Sequence, residues 1–61
     1  MSYEVIIMSP EGYRVGYAYT RSLSKARQKA AIILEDYPRY ICRIYSYTSI
    51  HADPVLVEVI E

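Results

Sequence analysis

Residues 22–38, SLSKARQKAAIILEDYP, are the one segment with a clear helical period, and they stand between two segments that read as β-hairpins. Leu23, Ala26, Ala30, Ile33, Leu34 and Tyr37 recur at spacings of three and four, which is the pattern of a helix with one apolar stripe. Ser22 is placed to cap it, because its hydroxyl can accept a bond from an orphan amide of the first turn. Pro38 cannot continue the helix, and its ring disfavours helical geometry at Tyr37. A helix is therefore expected over 22–37. The two alanines in the stripe let it approach a sheet closely. Ile32 falls opposite the stripe among Lys25, Lys29, Gln28 and Asp36. It reads either as an ordinary exposed isoleucine or as the anchor of a secondary contact on the helix face, rimmed by Lys25 and Lys29.

On the N-terminal side, residues 3–9 (YEVIIMS) are rich in β-branched side chains and read as a strand. Ser9-Pro10-Glu11-Gly12 then forms a turn signature, with proline presetting φ and glycine supplying the positive φ that follows. Residues 13–20 (YRVGYAYT) return as the second strand. On the C-terminal side, residues 39–50 (RYICRIYSYTSI) alternate as a long strand. Ser49–Pro54, with His51 and Asp53, reads as a turn or short loop. Residues 55–60 (VLVEVI) close the chain with Val55, Val57 and Val59 expected on one side. The order β-β-α-β-β over residues 1–61 predicts a single α+β domain: a four-stranded antiparallel sheet with the helix on one face.

One helix covers one face of such a sheet and leaves the other open. In the third strand Arg39 and Arg43 must point outward, which carries Tyr45 and Tyr47 outward and puts Tyr40, Cys42 and Ile44 under the helix. The second strand is ambiguous. Its small residues Gly16, Ala18 and Thr20 suit a helix-covered face and would send Tyr13, Val15, Tyr17 and Tyr19 outward, yet Arg14 shares the small side. With the tyrosines outward, the open face carries Tyr13, Tyr17, Tyr19, Tyr45 and Tyr47 with Arg39 and Arg43, and these are the candidate partner-binding residues.

The aromatic composition supports an adhesive face. Eight of the 61 residues are tyrosine, and phenylalanine and tryptophan are absent. A buried ring gains nothing from a phenolic hydroxyl that must then find a partner, so choosing tyrosine every time points to rings kept half in water, as at interfaces. The other reading of the same pattern is a second minor core, closed by cross-strand tyrosine pairs or by homodimerisation.

Charge and length narrow the classes. All seven basic residues lie between positions 14 and 43, against only Glu35 and Asp36 there, a net of +5; the other five acids lie in the flanks. A total of zero argues against generic coating of nucleic acid. A chain this short buries only about 60% of its unfolded surface, leaving no room for a core plus an enclosed catalytic pocket. No phosphate loop, no metal-ligand constellation and no paired catalytic carboxylates are visible, since Glu35 and Asp36 are neighbours that point apart on a helix. Neither an enzyme nor a cofactor or metal site is expected. The lone Cys42 lies in an apolar run and reads as a buried small hydrophobe, in keeping with a reducing cytoplasm. MSYEVIIM has no basic leader region, and no run approaches a membrane span, so a soluble cytoplasmic protein is expected.

The layout resembles the small phage-encoded anti-CRISPR proteins of β-β-α-β-β build, through an N-terminal hairpin, a helix opening Ser22-Leu23-Ser24-x-Ala26-x-x-x-Ala30, and a closing hairpin. The resemblance implies a stoichiometric blocker that occupies a surface of a host protein or ribonucleoprotein defence complex. It assigns no contact residues. A single-stranded nucleic-acid binder stacking bases on the sheet tyrosines is the rival expectation, and a homodimeric accessory subunit the third.

Overall fold

The computed structural model describes residues 1–49 and 51–61. It contains β1 (Ser2–Met8), β2 (Arg14–Thr20), α1 (Leu23–Asp36), β3 (Ile41–Tyr47) and β4 (Val55–Ile60). The four strands form one antiparallel sheet in the order β2-β1-β3-β4. This is the α+β architecture that the element order implies. After the first hairpin, α1 carries the chain from the edge strand β2 across β1 to β3, so β1 lies inside the sheet and pairs with both neighbours.

The first turn closes as its residues require. Gly12 N–H donates to the Ser9 carbonyl at 2.9 Å, and Ser9 N–H donates to the Tyr13 carbonyl at 2.8 Å. The Ser9 hydroxyl accepts from Tyr13 N–H at 3.1 Å. Gly12 has φ of +92°, where a Cβ is strained even though nothing crowds it. Gly12→Ala is expected to destabilise the domain by about 1 kcal/mol, read as a lower urea midpoint with unchanged slope.

At the other end of β2, Ser22 caps α1 and its hydroxyl accepts from Lys25 N–H at 3.3 Å. The helix stops at Tyr37, ahead of Pro38. Tyr40 N–H then donates to the Tyr37 carbonyl at 3.0 Å. That turn shortens the third strand relative to expectation: it begins at Ile41 and ends at Tyr47, with Arg39 and Tyr40 before it. Ile50, the last residue of the expected strand, lies outside the described residues. Ala52 N–H donates to the Ser49 carbonyl at 3.3 Å within the loop before β4.

The core is thin. Val5 from β1, Cys42 and Ile44 from β3, and Ala26 and Ala30 from α1 are fully buried, with Tyr3, Ile7, Leu23, Ile33, Leu34 and Ile60 packed around them. The alanines bring the helix axis close to the sheet, and the small residues Gly16 and Ala18 of β2 lie under the same side. A Cβ on Gly16 would meet Ile7 Cδ1 at 3.3 Å, so the approach there is already tight. Tyr37, the last residue of the expected stripe, is exposed because the helix ends there; its ring packs instead on Tyr40, centroids 5.0 Å apart. The Cα envelope is only 15 Å deep in its thin direction, one helix on one sheet. The accessible surface of 4446 Å² exceeds the ~4,100 Å² typical of a folded monomer of this mass. Among the described residues, eleven large hydrophobic side chains are exposed on it.

α1 packs on β1, β2 and β3. Its ion pair to β4 runs from Arg27 Nη2 to Glu58 Oε1 at 2.9 Å, so the basic middle of the chain and its acidic flank meet where the end strand returns. Both groups are partly solvated, and such a pair contributes at most about 1 kcal/mol.

Two bulges set which side chains face which way. Between β1 and β2 the register moves from Ile7↔Gly16 to Met8↔Arg14, leaving Val15 as the extra residue. Between β3 and β4 it moves from Ile44↔Glu58 to Tyr45↔Leu56, leaving Val57 extra. Each bulge reverses the alternation beyond it. The single valine face expected for β4 is thereby broken: Val59 pairs with Arg43, Leu56 pairs with Tyr45, and Val55 pairs with Ser46 on the helix side.

Candidate functional site

The sheet face away from α1 is built in rows that follow from strand register. Tyr19, Glu4, Tyr45 and Leu56 form one row across all four strands; Tyr17, Ile6, Arg43 and Val59 form the next; Arg14, Met8 and Ile41 form the third. Tyr47, opposite Ser2, continues the face beyond the first row. Nothing among the described residues covers these rows. Tyr17 and Tyr19 are 58% and 62% exposed, and Leu56 and Val59 are also exposed, while Ile6, Met8, Ile41, Tyr45 and Tyr47 are half-buried by their neighbours.

The outer rings are ordered against each other. Tyr17 and Tyr19 meet edge to face, with centroids 5.5 Å apart and planes at 74°. The Arg14 guanidinium stands 5.9 Å from the Tyr17 centroid, within the range of a cation–π contact. Arg14 reaches this face because the bulge at Val15 reverses the alternation. The same bulge turns Val15 toward the helix side, where it lines a groove with Ile7, Ile33, Tyr37 and Tyr40.

At the centre of the first row Glu4 is only 6% exposed. Tyr47 donates its phenolic hydrogen to Glu4 Oε1 at 2.6 Å. That bond pushes the Tyr47 pKa up to about 12, because the proton it would lose is the one shared with the carboxylate. The Glu4 carboxylate, opposite Tyr19 across the β1–β2 pair, also raises the pKa of Tyr19. For a phenol whose folded pKa is raised, the stabilising contribution is complete below the ordinary value of 10.0 and is lost as pH climbs through about 12. A near-ultraviolet titration of tyrosinate is expected to show a late-ionising fraction. Tyr47→Phe is expected to remove one tyrosine from that late step.

The structure brings Tyr17, Tyr19, Arg43, Tyr45 and Tyr47 together on this face. It places two other candidates elsewhere. Tyr13 is exposed in the turn beyond β2, held by its bonds to Ser9. Arg39 lies in the turn after α1, beside Pro10, Glu11 and Asp36, because the strand alternation does not extend back past Ile41. On the helix, Lys25, Lys29 and Ile32 are exposed, and Ile32 and Lys29 border a shallow hollow with Ala18 and Ile33. Glu4 and Arg14 were not among the candidates. Glu4 sits in an apolar strand whose partners only register reveals, and Arg14 reaches the face only through a bulge that the glycine-containing run YRVGYAYT does not announce.

No helix among the described residues is long and apolar enough to cross a membrane. Comparisons with protein-family models, with curated proteins and with solved structures return no match.

Proposed function

We propose that the chain is a non-enzymatic protein-binding domain that acts by steric occlusion, of the kind a phage or mobile element uses to block a host defence protein or ribonucleoprotein complex in the host cytoplasm. The observation that carries this reading is the uncovered sheet face, with exposed Tyr17, Tyr19, Leu56 and Val59 beside Arg14 and Arg43. Tyrosine supplies rigid contact area at low entropic cost, because only two χ angles are fixed on binding. Arginine adds directed hydrogen bonds to carboxylate or phosphate at the rim. The contact is centred on Tyr17, Tyr19, Tyr45, Tyr47 and Arg43. The anti-CRISPR-like layout supports the inhibitory role through its resemblance alone.

A single-stranded nucleic-acid binder is the second reading, favoured by the Arg14–Tyr17 stack, a platform on which a base could lie. The buried Glu4 carboxylate in the first row and the zero net charge oppose it. The deciding experiment is capture from bacterial lysate with and without nuclease, comparing the parent with Tyr17→Ala/Tyr19→Ala. A stoichiometric protein that survives nuclease and is lost with the double variant supports the proposal. Recovery of nucleic acid alone, with affinity for oligonucleotides that falls steeply as salt rises, overturns it. A second copy of the chain as sole occupant, seen as a dimer by sedimentation, also overturns it.

A further inference from the structure

At the β1–β3 end of the open face lies a hollow of about 450 Å³ lined by Met1, Ser2, Tyr19, Tyr47, Thr48 and Ser49. Five of its six lining residues carry a hydroxyl and none has a basic side chain, the one cationic group among them being the α-amino group of Met1. Two of them neighbour Glu4: Tyr47 donates to its carboxylate, and Tyr19 stands opposite it across the β1–β2 pair. Glu4 is the most deeply buried charged side chain on that face, and a buried carboxylate is ordinarily paired with a cation. Among the described residues it has none. The one ion pair there is Arg27–Glu58 on the opposite side, and neither a side chain nor the Met1 α-amino group pairs with Glu4.

We propose that this hollow is a receptor for the cationic head of an arginine or lysine side chain presented by a protein partner, with the Tyr19 and Tyr47 rings as walls and the Glu4 carboxylate as the counter-charge behind them. The inference deepens the protein-binding reading and rests on it for the source of that side chain. Three properties of the site suit a cation. Its aromatic faces carry the negative side of the ring quadrupole. A phenol that donates to a carboxylate is made more electron-rich, which strengthens that attraction. The hydroxyls of Ser2, Thr48 and Ser49 can accept from N–H donors, of which guanidinium offers five and ammonium three. The buried carboxylate discourages an anion at the same place.

The test is a titration of the purified chain with N-acetyl-arginine N-methylamide and N-acetyl-lysine N-methylamide, followed by the tyrosine ring signals in carbon–proton NMR. The uncharged controls are the corresponding citrulline compound and the lysine compound acetylated also on its ε-nitrogen, which lose the side-chain charge. Saturable shifts confined to Tyr19, Tyr47 and Met1, with half-saturation in the millimolar range and binding about tenfold weaker for the uncharged compounds, are expected. Glu4→Gln should weaken the cationic probe by a similar factor. Tyr19→Leu, which removes a wall and leaves the Glu4–Tyr47 bond in place, should do the same and serves if Glu4→Gln fails to fold. Equal binding of charged and uncharged probes, shifts spread over all eight tyrosines, or no saturation overturns the inference. Because no partner is needed, failure here leaves the lysate result standing. Cation binding without any captured protein would sink the functional reading alone.

Discussion

Ile44→Ala is expected to leave most of the chain unfolded at physiological temperature. Ile44 is the largest of the three wholly buried side chains of the sheet, ahead of Val5 and Cys42, and it is 0% exposed. Truncating a buried isoleucine to alanine destabilises by about 2–5 kcal/mol, because transferred surface is lost and a cavity remains. A domain of this size rarely holds more than about 3–5 kcal/mol in reserve. The two quantities are nearly equal, so one substitution removes most of the margin. Far-ultraviolet circular dichroism should show a broad transition at or below ambient temperature. Ile44→Val, expected to cost about 0.5–1.5 kcal/mol, should stay folded with a lower midpoint. An alanine variant that melts within a few degrees of the parent would mean that the five-residue core does not hold the fold.

The second large effect falls on the opposite face and should leave stability almost untouched. Tyr17 and Tyr19 are exposed, so replacing both by alanine should shift the unfolding free energy by no more than about 1 kcal/mol. If they anchor a partner, each truncation carries about 2 kcal/mol or more of binding, and the pair together weakens it at least about thirtyfold. The two rings touch, so the single effects are not expected to add to the double. Tyr45 and Tyr47 are less clean probes. Both are half-buried, and removing Tyr47 strips Glu4 of its 2.6 Å hydrogen bond, which mixes folding into the readout. Undiminished affinity in the Tyr17/Tyr19 variant would move the contact to another surface, and the helix face with Lys25, Lys29 and Ile32 would be tested next.

How far these surfaces could be read beforehand depended on whether local pattern or strand register decided the position. The helix needed only local pattern. The three-and-four spacing of Leu23, Ala26, Ala30, Ile33 and Leu34, with Ser22 before and Pro38 after, fixes it to within a residue at each end. The turn at Ser9–Gly12 is equally local. Cys42 and Ile44 were placed under the helix by alternation against Arg43, and small residues of β2 chose the helix side over Arg14. Strand order was beyond local pattern, since nothing in β1 says that it pairs with two neighbours. Once β1 is central, Glu4 falls between Tyr19 and Tyr45 and becomes the middle of the candidate site. The bulges at Val15 and Val57 were also silent, because an extra residue changes the phase of alternation without changing composition. They account for Arg14 joining the open face and for Leu56 sharing it with Val59.

Cys42 gives the molecule an internal clock. It is the only thiol, it is fully buried on the helix side of the sheet, and burial pushes its pKa up. A thiol reagent can reach it only when α1 parts from the sheet or the chain opens altogether, so its labelling rate in plain buffer counts those openings. A ligand held on the far side of the sheet makes the openings that destroy its site rarer by the factor of one plus its concentration over its dissociation constant. Occupancy of the tyrosine face can thus be timed from a sulfur atom that no ligand there would touch.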